Sequence, residues 1–238
     1  MQQRLADLKF DPGPVDGKFG QPTRYAVETL QKIYDLPRTG RVGEAEWMAL
    51  SFFTYPDVLE PNGEAKRVEV NIPKQYLVLY ENYQPKLVTT VSSGSGEKYC
   101  YVPRSGGRRV CDQALTPSGR YTFYTRYNGW QKGDLGTMYN PVYFLRGWAV
   151  HGLDSVPTHP ASHGCVRIPN NIASYFPSLV ANGDVIYIVG GADHAPVGVS
   201  TPLPPAPTTA PAPAPVPAPA PAPEPAPAPD PAAPAPAP

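Results

Sequence analysis

Val68, Val70 and Ile72 alternate with Glu69 and Asn71, a period-two pattern that predicts a half-buried strand, and the unbroken apolar run Tyr76 to Tyr80 predicts a second. A turn at Asn82 to Pro85 leads to a third strand over Lys86 to Val91, and Thr116-Pro117-Ser118-Gly119 turns into another over Tyr121 to Tyr124. Further strands are predicted at Val142 to Leu145, Trp148 to His151 and Val185 to Val189, with one helix over Pro169 to Val180. Many short strands with regular turn signals predict a mainly β domain, a sandwich or a barrel.

Upstream the period changes. Ala26, Val27, Leu30, Ile33 and Tyr34 recur at three- and four-residue spacing, Pro22 suits a first helical position, and Leu36-Pro37 ends the helix. A short helix over Glu44 to Leu50 follows, with Trp47 and Leu50 expected inward, and Asp11 to Gly20 is turn chemistry throughout. Met1 to Leu5 already reads as the inside of a helix, so this first helix is expected to be truncated and a signal sequence to lie upstream. Three helices this short make a marginal core, which predicts an accessory module. The polar, Pro/Gly-containing stretch 53–66 sets the boundary. The expected organisation is a three-helix domain (1–52), a linker (53–66), a β domain (67–191) and a tail (192–238).

Composition adds the tail. More than half of the 34 prolines fall from Pro196 onward, in Ala/Pro repeats that cannot bury a core. A disordered, partly extended polyproline II tether is predicted there; at about 3.1 Å per residue it reaches on the order of 100 Å, which suits a spacer, with a dispensable low-complexity tail as the alternative. About 190 residues remain to form a core. Zero formal net charge gives no reason to expect nucleic acid as a partner, and no apolar run is long enough to be a transmembrane segment.

The three cysteines divide two and one. Cys100 and Cys111 bracket a short Pro/Gly/Arg-rich loop; a bridge closing it would stabilise the fold by roughly 3 kcal/mol on a chain-entropy account and implies an oxidising, extracytoplasmic compartment. The alternative is a packed, reduced pair. Cys165 is then the odd thiol, which in a secreted protein flags reactivity.

Cys165 sits in the stretch His151 to Arg167, which holds three of the four histidines. A free thiol is only a few per cent ionised at neutral pH, so an imidazole that takes its proton makes it a competent nucleophile. His151 ends a predicted strand, a rigid mount for a base; His163 is expected in a supporting, hydrogen-bonding role, and Ser162 in positioning His163. The same residue types also ligate zinc, though no second cysteine lies near and no CxxC or HExxH spacing is present.

The run His151-Gly152 followed by Ser162-His163-Gly164-Cys165-Val166-Arg167 resembles the signature of the L,D-transpeptidase catalytic domain of the YkuD type. The resemblance implies a β domain of that family's type, Cys165 as nucleophile and His151 as proton acceptor and donor. The Gly164 and Cys165 amides would form an oxyanion hole, with Cys165 at a helix start. Tyr139, in Met138-Tyr139-Asn140-Pro141, resembles a substrate-facing position, with a core tyrosine as the alternative. Arg167 stands where many members carry Asn; it would hold a substrate carboxylate or anchor the loop. Leu5 to Leu50, with Asp16-Gly17, Phe19-Gly20, Thr23, Ala26-Val27 and Gln31, resembles the three-helix peptidoglycan-binding domain. Together the resemblances imply an extracytoplasmic enzyme of peptidoglycan cross-linking that needs no metal or organic cofactor. Its partners would be a tetrapeptide stem donor and a stem-peptide acceptor, with carbapenem-type β-lactams as covalent inhibitors. The competing expectations are an L,D-carboxypeptidase and an inactive wall-binding protein.

Overall fold

The computed structural model describes residues 1–193, so all but the first two residues of the predicted tail lie outside the described residues. Along the chain come α1 (Gln2–Asp7), α2 (Gln21–Ile33) and α3 (Glu44–Ser51), then β1 (Arg67–Asn71), β2 (Tyr76–Glu81), β3 (Gln84–Thr90), β4 (Lys98–Tyr101), β5 (Val110–Gln113) and β6 (Gly119–Thr122). There follow β7 (Thr125–Arg126), β8 (Trp130–Gly133), β9 (Gly136–Leu145), β10 (Trp148–Leu153), β11 (Val166–Pro169), the short helices α4 (Asn170–Ala173) and α5 (Phe176–Leu179), and β12 (Val185–Val189). The protein is mainly β with a small helical part at its N-terminus.

Two sheets enclose the main core. One runs β3-β2-β1-β12-β6, with β1 and β12 parallel; the other runs β11-β10-β9-β7, with β8 on β9. Val68, Val70, Leu77, Leu79, Ile186 and Ile188 from the first meet Val142, Phe144, Val150, Val166 and Ile168 from the second. The unbroken apolar run of β2 now has its reason. Successive strand residues point to opposite faces, so Leu77 and Leu79 enter the main core while Tyr76, Val78 and Tyr80 enter a second one.

That second core is shared. Leu5, Phe10, Val27, Leu30 and Leu50 of the helical part pack on Tyr76, Val78, Tyr80 and Val88 of the first sheet's outer face. The expectation of a small module with its own marginal core is therefore corrected. Helix α2 buries even Glu28, Gln31 and Lys32, because it is covered by its helical neighbours on one side and by the sheet on the other. The backbone joins the two parts as well: Val88 N–H donates to Lys9 O at 2.9 Å.

Several element bounds differ from the sequence reading for local reasons. Trp47 is 49% exposed; Glu46 turns inward instead, accepting from Gln31 Nε2 and from the Gly43 N–H that opens α3. The β2–β3 turn is Asn82-Tyr83, both left-handed, which is the two-residue hairpin geometry; Pro85 already lies in the edge strand. The single helix expected over Pro169 to Val180 is two four-residue helices with Pro169 ending β11. Pro177 supplies no N–H to continue the first, and it begins the second within its opening turn.

Candidate active site

The second sheet mounts the chemistry. β10 and β11 run parallel, pairing Val150 with Val166 and His151 with Arg167, and Cys165 is the residue just before β11. His151, Cys165 and Arg167 all line an open cleft of about 930 Å³, together with Tyr99, Tyr143 and Trp148. Because Cys165 precedes a strand, the expected helix N-terminus at the thiol is absent; α4 begins only at Asn170.

The turn that presents the sulfur is held by its own residues. Ser162 Oγ donates to Cys165 O at 2.6 Å and accepts from Gly164 N–H at 2.9 Å, rather than reaching His163 as expected. Thr116 Oγ1 donates to Gly164 O at 2.6 Å and accepts from Gly94 N–H at 2.9 Å. Gly164 has φ +137°, and a Cβ there would lie 2.6 Å from Trp148 Nε1 and 2.8 Å from Leu115 O, so only glycine fits. Its N–H donates to Ser162 Oγ in the resting site.

His151 is buried, and its Nδ1 lies 2.9 Å from Gly152 O. A carbonyl only accepts, so Nδ1 carries the hydrogen and Nε2 keeps its lone pair. Burial lowers the imidazole to about 4, with a further lowering from Arg167, while the Gly152 bond pulls the other way. Cys165 is half-buried, with Sγ 3.7 Å from Gly147 O. Burial raises its thiol above the ordinary value; the Ala149 amide and Arg167 oppose that rise. At neutral pH the two groups rest as thiol and neutral imidazole. Among the described residues the Arg167 guanidinium makes no hydrogen bond or ion pair, and burial lowers its own pKa.

The remaining expected site residues are distributed unevenly. His163 is exposed and packs edge-on against Tyr99, ring centroids 4.7 Å apart, so its contact is aromatic instead of the hydrogen bond expected. Burial and Arg167 lower its pKa. Tyr139 is not among the cleft-lining residues; its ring lies tilted against Trp130, centroids 5.1 Å apart, and packs against the main core. The β9–β10 register shifts there, Asn140 and Pro141 of β9 opposing His151 of β10, and beyond the shift Tyr143 faces the cleft, its hydroxyl donating to Gln131 Oε1 at 2.7 Å. Cys100 and Cys111 form a disulfide across the β4–β5 pair. That hairpin puts Tyr99 and Tyr101 on the cleft wall, and the sequence reading missed both because strand pairing, not spacing, brings them there. Among the described residues no three His, Cys, Asp or Glu side chains converge as a metal site.

A cysteine and a tautomer-locked histidine in one cleft, carried by the edge of a two-sheet β domain, define the class of protein, and comparison with known proteins gives the family. The profile of the L,D-transpeptidase catalytic domain (YkuD) matches residues 65–188, and the profile described as "Putative peptidoglycan binding domain" matches residues 1–50. The chain belongs to the L,D-transpeptidase family. The L,D-transpeptidase of Xylanimonas cellulosilytica is 35% identical over 79% of this chain and 90% of that one, with a TM-score of 0.70. That of Stackebrandtia nassauensis is 19% identical over 80% and 89%, with a TM-score of 0.47. No curated protein matches the chain.

Proposed function

We propose that the protein is an extracytoplasmic enzyme that cross-links peptidoglycan stem peptides through a Cys165 thioester. One observation carries the reading: an imidazole with a bare Nε2 and a free thiol line the same open cleft, beside a guanidinium without a partner among the described residues.

His151 Nε2 takes the thiol proton as Sγ attacks the carbonyl carbon of the third, diamino-acid residue of a tetrapeptide stem. Burial disfavours both the imidazolium and the thiolate, which favours proton transfer in step with attack. The Cys165 amide donates to the oxyanion; one such donor accounts for about 10²–10³ in rate. The protonated imidazole returns its proton to the nitrogen of the terminal D-alanine as that C–N bond breaks. A side-chain amine of a second stem then attacks the thioester, its proton passing to Nε2 and on to the departing thiolate.

Arg167 holds a stem carboxylate by a bidentate pair, which a guanidinium suits better than an ammonium does. The strained amide of a carbapenem presents the same electrophile to the same sulfur. The Cys100–Cys111 bridge supports an oxidising compartment, and no helix among the described residues is long and apolar enough to cross a membrane. The helical part would bind the wall.

Intact mass after exposure to a stem tetrapeptide, and separately to a carbapenem, tests the reading. An adduct on Cys165 that Cys165→Ala abolishes is the expected result; an unmodified wild-type enzyme overturns it. Loss of D-alanine with water as the only acceptor would instead make the enzyme an L,D-carboxypeptidase.

A further inference from the structure

Nine residues, 154–162, separate the strand that carries His151 from the turn that carries Cys165, and their polar backbone atoms are gripped from outside. The Tyr25 hydroxyl of α2 donates to Asp154 O and accepts from Val156 N–H, each at 3.2 Å. Arg38, five residues beyond α2, donates to Thr158 O at 2.6 Å. Ser92 Oγ donates to His159 O at 2.8 Å, and Ser93 O accepts from Ala161 N–H at 2.9 Å and Ser162 N–H at 2.8 Å. The Ser92 backbone also exchanges both hydrogen bonds with Arg167.

The Ser92-Ser93 support is itself held by α2. Lys32 of that helix is fully buried, and its ammonium donates to Val91 O and Gln75 O at 3.0 Å each and to Thr90 Oγ1. Gln75 in turn accepts from Ser93 N–H and donates to Ser93 Oγ. One face of one helix thus fixes the start of the loop directly and its end through two residues.

We propose that the helical part is a positioning element of the active site, with Tyr25 as its positioning residue: it sets where the Cys165 turn stands relative to His151, apart from any hold it has on the wall. The inference builds on the proposed thioester reaction. Gly152, whose carbonyl orients His151, lies only two residues before Asp154, so releasing the Tyr25 hydroxyl loosens the chain next to the base. Surface segments that lose their backbone partners open locally, and a displacement of about 1 Å at a reacting pair costs about 10²-fold in rate.

Tyr25→Phe keeps the buried ring and removes both hydroxyl bonds; it is to be compared with wild type in the full chain. The expected result is at least a tenfold lower rate of Cys165 acylation at saturating imipenem, with half-saturation unchanged. Iodoacetamide alkylation of Cys165 slows, amide exchange quickens over 154–163, and sacculus binding and melting temperature hold. Arg38→Met gives the same pattern at lower amplitude. Wild-type rates of alkylation and unaltered exchange in Tyr25→Phe overturn the proposal, as does a loss of rate matched by equal loss of melting temperature. A wild-type enzyme that alkylates normally but takes neither imipenem nor stem peptide overturns the thioester reaction instead, while exchange and alkylation still decide the positioning role.

Discussion

His151 and Arg167 are register partners on the parallel strands β10 and β11, so the imidazole and the guanidinium both reach the cleft that holds the Cys165 sulfur. The positive charge acts on both His151 and Cys165. It favours the neutral form of the imidazole and opposes the burial that raises the thiol.

Replacing Arg167 with methionine keeps the volume and removes the charge. A charge-assisted hydrogen bond to a carboxylate contributes about 1.5–3 kcal/mol, so KM for a stem tetrapeptide is expected to rise about 10- to 100-fold. The thiol pKa should move up, which alkylation of Cys165 across a pH series would read. An unchanged KM would leave Arg167 as a loop anchor.

The pH profile has a definite sign. His151 is lowered from 6.5 to about 4, so it stays a neutral base through mildly acidic solution, and the acid limb of activity is expected near 4. Between those values the unfolded chain binds a proton that the folded protein excludes. Stability therefore falls as pH drops from 6.5 toward 4. His151→Asn should flatten that slope in denaturant titrations while abolishing acylation.

Gly164→Ala should fail at the turn. The new Cβ meets Trp148 Nε1 and Leu115 O at distances no carbon tolerates, in a backbone conformation costing about 1–3 kcal/mol for other residues. Acylation is expected to fall at least tenfold, with a melting temperature several degrees lower. Gly106→Ala, with φ +82° but nothing within 4 Å, carries the backbone cost without the contacts and so separates the two effects.

The Cys100→Ser/Cys111→Ser double variant removes the β4–β5 crosslink. Closing so short a loop stabilises by roughly 3 kcal/mol at most, and here the loss should concentrate in the hairpin, detected as earliest proteolysis between 102 and 109. Tyr99 then no longer braces His163, and substrate affinity should weaken more than turnover.

The core strands β1, β2, β3, β6, β9, β10 and β12 were legible in the sequence because they carry apolar runs or period-two alternation, the continuous run of β2 being two such patterns superposed, whereas β4, β5, β7, β8 and β11 were not read from it. Cys165 and His151 stood out because they belong to one short two-part motif, His151-Gly152 and Ser162 to Arg167. For Tyr139 the sequence left a substrate-facing and a core position open; the ring packs toward the core because a register shift in β9, which leaves no mark in composition, reverses which side chains face the cleft. Trp47 misled because Gln31 draws Glu46 inward, a preference that helical spacing does not encode. Lys32 carries no signal in the sequence, and only the folded chain reveals the acceptors around it.

The outer face of the first sheet has a practical corollary for anyone dissecting the chain. Tyr76, Val78, Tyr80 and Val88 are dry only while the helices lie over them. Cutting between residues 53 and 66 would uncover four contiguous greasy side chains on a sheet, so a fragment trimmed to the transferase half should self-associate or need detergent. Its sluggishness would report the cut rather than the chemistry.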